Sequence, residues 1–156
     1  MHPYRNFVLM IVVSSALMFC LMYLNTYQLG HVWFSQTRMF MTFIMAGSMA
    51  LVMLFFMRNM YQDKKANLSI VVGSVALMGL GLWLVRSQAT VGDMAWMKAM
   101  IPHHSIAILT SERAHITDPR VRKLADGIIE AQRREIGEME FLIKDIRAQP
   151  AEVSRH

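Results

Sequence analysis

Cysteine is all but missing: Cys20 is the single one in 156 residues, so no intramolecular disulfide can form and no thiolate metal site can be built. Acid is scarce in the first half, where Asp63 stands alone among residues 1–85 against Arg5, Arg38, Arg58, Lys64 and Lys65. Repeats and low-complexity tracts are absent. The basic excess is spread over loops rather than gathered into a patch, which excludes nucleic acid as a partner and leaves membrane topology as the use of those charges. Charge of either sign is also missing from residues 7–24, 39–57 and 68–85. Each stretch is close to the ~20 residues a helix needs to cross ~30 Å of hydrocarbon.

What is present is apolar residue, 54% of the chain, and methionine, 16 of them. Three spanning helices are predicted at about 7–27, 39–58 and 68–86, which make residues 1–86 a transmembrane region. The first span reads as a retained anchor, because its apolar run is too long for a signal peptide and Tyr-Leu-Asn-Thr-Tyr-Gln offers no small-residue cleavage site. Arg5, Arg58, Lys64 and Lys65 share one side and Arg38 and Arg86 the other. The positive-inside rule then puts the N-terminus in the cytoplasm and the C-terminal part outside, in the periplasm of a bacterial inner membrane. Tyr27, Trp33, Phe34 and Trp83 would form an aromatic belt on the outer side. Met41, Met45, Met49, Met53 and Met57 recur every fourth residue, more readily as an adaptable filler between packed helices than as an ion relay, since the spans hold no His, Asp or Glu.

Beyond a linker at 87–92, helical periodicity runs from Asp93, a plausible N-cap, to about His115. It resumes after Thr117-Asp118-Pro119, where a capping side chain precedes a proline at the first helical position, and continues to about Arg147 before Gln149-Pro150 and a tail at 148–156. The connection is short enough only for an antiparallel hairpin, 93–147. The fold expected is therefore all-α: three transmembrane helices, then an extracytoplasmic antiparallel helical hairpin that completes a four-helix bundle by dimerisation.

The organising stretch is Asp93-Met-Ala-Trp-Met-Lys-Ala-Met-Ile-Pro-His-His, with three thioethers and two imidazoles in about three turns. Thioether sulfur selects soft ions such as Cu(I), and imidazole accepts copper too. Steps of three and four residues predict a seam of Met97, Ile101, His104, Ile108, Ser111 and His115 on one helix. The other contributes Val121, Ala125, Ile128, Gln132, Glu135, Met139, Leu142 and Ile146. That register sets Met97 opposite Met139 and His104 opposite Gln132, with Met100 and Glu135 between. Polar groups buried without partners cost ~1–3 kcal/mol or more, so either a metal or a hydrogen-bonded network of His104, Gln132 and Glu135 must satisfy them. Pro102 breaks one backbone hydrogen bond and bends the segment that aims His103 and His104. Ile129, Ile136 and Ile143 form a second stripe at seven-residue intervals, read as the surface that a partner hairpin covers.

Met-Ile-Pro-His-His at 100–104, with Leu124-Ala125, Ile128 and Gln132-x-x-Glu135-Ile-x-x-Met139, resembles the bacterial family catalogued as domain of unknown function three-hundred-five. The resemblance covers about a third of the chain and none of the spans. It implies an extracytoplasmic, ferritin-like helical fold linked in some members to copper or silver binding and tolerance. Carried over by position, it implies Met97, Met100, His103, His104, Glu135 and Met139 as metal ligands.

The function expected is a membrane-anchored protein that binds Cu(I), or Ag(I) in its place, for sequestration, tolerance or hand-over to a copper transporter or chaperone, without enzymatic activity. Two other readings stay open. One is a ferritin-like di-iron oxidoreductase, built on Glu112-x-x-His115 in a dimer of hairpins. The other is a metal-free module that recruits a protein partner.

Overall fold

The computed structural model describes residues 3–153, and among them the regular structure is helical throughout. The helices are α1 (Pro3–Leu21), α2 (Gln36–Phe56), α3 (Lys64–Ser87), α4 (Asp93–Arg113) and α5 (Pro119–Val153), with one 3-10 turn at Leu29–His31. They group into two units. One takes the chain up to Met22 together with Gln36–Thr90; the other takes Tyr23–Ser35 together with the chain from Val91 onward.

The first unit holds three helices long and apolar enough to cross a membrane. Its outside is what hydrocarbon requires: Val8, Leu9, Val12, Leu17, Phe55, Phe56, Leu68, Val72 and Trp83 all stand more than half exposed, a surface too apolar for water. Small residues bring α2 and α3 close together. A Cβ on Gly47 would lie 2.7 Å from the Ser74 carbonyl, and one on Gly81 2.9 Å from that of Phe40, so any larger residue would push the helices apart. The buried line of α2 runs through Phe40, Ala46, Gly47, Ala50 and Leu54. The methionine stripe flanks that line: Met45, Met49, Met53 and Met57 are half-buried and Met41 is exposed. At one end Phe7, Leu54 and Tyr61 pack together, and the Tyr4 hydroxyl accepts from the Asp63 N–H and donates to Asn67. Asp63 caps α3 by accepting from the N–H groups of Lys65 and Ala66.

In the second unit α4 and α5 form the expected antiparallel hairpin. Asp118 starts α5: its carboxylate accepts from the Arg120 N–H at 2.8 Å and also binds the Arg120 guanidinium, which together hold its pKa below the usual carboxylate value. α4 runs unbroken through a buried Pro102, and α5 runs through Pro150 to Val153, past the stop expected near Arg147. Of the expected tail 148–156, residues 154–156 lie outside the described residues.

The seam differs from expectation on α5. The residues facing α4 are Ala125, Ile129, Ile136, Met139, Ile143 and Ile146, whereas Val121, Ile128 and Leu142 are 48%, 37% and 39% exposed. Two apolar lines run along α5 one residue apart, and both fit the three-four spacing. Facing the Glu135 line inward would bury a carboxylate, while the isoleucine line buries none, so desolvation decides between them. Ile129, Ile136 and Ile143 are thus covered within this unit and need no second hairpin.

Part of that cover is the loop after α1. The helix ends at Leu21, six residues before the expected end of the first span at 27, and Tyr23–Ser35 turns onto the hairpin as a strap. The Tyr27 N–H donates to the Ser105 hydroxyl at 2.7 Å, and His31 Nδ1 meets the same hydroxyl at 2.9 Å. Tyr27 and Trp33 pack against the core of Ile101, Ile108, Ile136 and Ile143, and the Arg147 guanidinium lies 5.6 Å over the Trp33 ring. Two members of the expected aromatic belt therefore serve as core instead, because their rings find apolar side chains within the chain.

Candidate metal centre

α4 and α5 enclose a cavity of about 260 Å³ lined by Trp96, Met97, His104, Glu135, Glu138, Met139 and Leu142. Its sulfur donors come from the seam: Met97 and Met139 are 4% and 6% exposed. His104 is likewise buried, and its orientation is fixed at both nitrogens. Nδ1 lies 3.0 Å from the Met100 carbonyl oxygen and Nε2 lies 2.8 Å from Glu135 Oε2. A carbonyl only accepts, so Nδ1 carries the hydrogen and Nε2 is the atom left to bind a metal. A histidine that gives its second N–H to a backbone carbonyl is the usual arrangement behind a metal-bound imidazole. An ionised Glu135 also only accepts, so a proton must sit between Oε2 and Nε2 in the metal-free protein; a metal taking that place displaces it.

Four of the six expected ligands thus meet at one cavity: Met97, His104, Glu135 and Met139. Met100 does not line it. Its thioether is half-buried against the hydrophobic core, and its contribution is the carbonyl that orients His104. His103 is exposed, its ring centred 6.1 Å from that of His104. Gln132 lines a separate groove with Leu124, Ile128 and Ala131, and the partner of His104 is Glu135, a consequence of the rotated seam. Trp96 and Glu138 are not singled out in the sequence, and Leu142 is read there only as a seam residue. The signal for Glu138 was its place one turn after Glu135 and beside Met139, and for Trp96 its place beside Met97.

Among the described residues no three His, Cys, Asp or Glu side chains are placed to hold a metal ion by themselves. Glu112 binds the Arg133 guanidinium, while His115 lies beyond the end of α4 and is exposed. The Glu-x-x-His pair is therefore not on one helical face.

Residues 88–156 match the family described as Domain of unknown function (DUF305). The match takes in that segment alone, less than half of the chain. The DUF305 segment comprises α4 and α5, and the strap Tyr23–Ser35 that completes its core lies outside the match. The chain is also similar to a protein of Acanthamoeba polyphaga mimivirus named "Uncharacterized protein L153", 28% identical over 152 residues that cover 93% of this chain and 96% of the relative. The similarity takes in the membrane helices as well as the DUF305 segment. No solved structure gives a significant match.

Proposed function

We propose that the chain is a membrane-anchored, non-catalytic carrier of Cu(I), with Ag(I) able to take its place, held by Met97, Met139, His104 and Glu135 for sequestration, tolerance or hand-over. The observation that carries this reading is the pairing of two buried thioethers with an imidazole whose Nε2 is presented by the Met100 carbonyl. Neutral sulfur favours soft monovalent ions, and the cavity's other donors, His104, Glu135 and Glu138, are not placed as a group that could hold Zn(II) by themselves. The DUF305 segment projects on the non-cytoplasmic side in this reading, as the basic residues of the loops suggest, which in a bacterium is the periplasmic face of the inner membrane. A copper transporter or chaperone is the partner for hand-over. Self-association, if used to complete a four-helix bundle, falls to the bare line of Val121, Leu124 and Ile128 on α5.

The test is a competition titration of the full chain in detergent against a Cu(I) chelator. Changing His104 to Gln together with Met139 to Leu should weaken Cu(I) binding by at least about 100-fold, in the range that disturbing ligands and their supports produces. Equal affinity in the double variant would remove the cavity as the site.

A further inference from the structure

We propose that Trp96 is a specificity-determining part of this site, closing the cavity over a soft monovalent cation with the face of its indole. The inference rests on the metal reading above and adds a group that no ligand motif supplies. Trp96 precedes Met97 on α4, so it lies to one side of the buried seam; it lines the cavity and is 50% exposed, which places it on the cavity's open side. The donors beneath it are two uncharged sulfurs, one imidazole and the Glu135 carboxylate; Glu138 also lines the cavity but is exposed, so water screens its charge, and a Cu(I) or Ag(I) held by the sulfurs and the imidazole keeps cationic character at its open side. The indole face is the most electron-rich surface a protein offers to a cation, and the attraction grows when water is excluded. A divalent ion that keeps its own water could not bring the ring that close, so the same side chain discriminates against Zn(II).

The experiment uses the full chain in detergent and Ag(I), which needs no reductant, with tryptophan emission and bound silver measured together. Trp33 and Trp83 remain in every variant as internal controls. Emission should change in step with silver uptake and stop at the same equivalence. Trp96→Phe should still bind silver while losing that change, and Trp96→Leu should bind about 10-fold more weakly, the size expected of a partly desolvated cation–π contact. Zn(II) affinity should be the same in Trp96→Leu as in the unsubstituted chain. Silver bound with emission unchanged, or Trp96→Leu binding as tightly as the unsubstituted chain, overturns the role of Trp96 and leaves the sulfur site standing. A chain that takes up no silver at all overturns the metal reading and this inference with it.

Discussion

At the residue scale the His104–Glu135 contact has a consequence in solution. Because one proton lies between Nε2 and Oε2, Ag(I) uptake by the full chain should release about one proton per ion, measurable in weakly buffered solution. Glu135→Gln supplies an amide hydrogen to Nε2 instead and should release none on binding; equal release from both chains would show that the proton is not held there. Asp118 offers a second titration. Arg120 lowers its pKa, so its capping contribution is fully present above the ordinary carboxylate value of about 4 and is lost as pH falls through the lowered one. Amide exchange at the start of α5 should therefore rise only in strong acid, and Asp118→Asn, which still caps but does not titrate, should remove that dependence.

At the element scale α5 separates what sequence can and cannot decide. Its start was legible, because Thr117-Asp118-Pro119 carries its own local chemistry. The presence of the hairpin, the three spans and the pairing of Met97 with Met139 were legible for the same reason: periodicity and capping act over a few residues. Which of two apolar lines faces inward was not legible, since both satisfy the period and only the cost of burying Glu135 separates them. Ile136→Ala should cost about 2–5 kcal/mol in unfolding of the second unit, as large-to-small changes in packed cores do, whereas Ile128→Ala should cost well under half of that. Comparable losses at both would restore the expected register. The strap was invisible to any local pattern. His31 belongs to no motif, and its partner Ser105 lies 74 positions away. Ser105→Ala leaves the Tyr27 N–H without its acceptor, at about 1–3 kcal/mol, and should speed limited proteolysis within residues 23–35 while α4 and α5 stay protected.

At the scale of the whole molecule, two spans separate the strap from the hairpin in sequence, and an even number of crossings returns both to one side of the membrane. Topology is open to a direct check in a Cys20→Ser background. A cysteine at Lys144, exposed on α5, should react with an impermeant maleimide in intact cells and one at Lys64 should not; the opposite pattern would invert the orientation. The rotated seam also moves any self-association to a different surface. Leu124→Glu with Ile128→Glu should leave the hairpin folded and yield a monomeric mass in detergent if that line is the contact, and an unchanged dimer would place it elsewhere.

The separation between His31 and Ser105 is also an interval of time. Synthesis at about 5–20 residues per second delivers the strap roughly 4–15 s before the serine that seats it. Through that interval Tyr27 and Trp33 have nothing of their own unit to pack against. The hairpin in turn emerges with its isoleucines bare unless the strap already waits on the same side of the membrane. A chain in which only one of α2 and α3 had crossed would leave strap and hairpin on opposite sides, with Ile136 and Ile143 uncovered. Completion of the second unit thus doubles as an inspection of whether both α2 and α3 were threaded across.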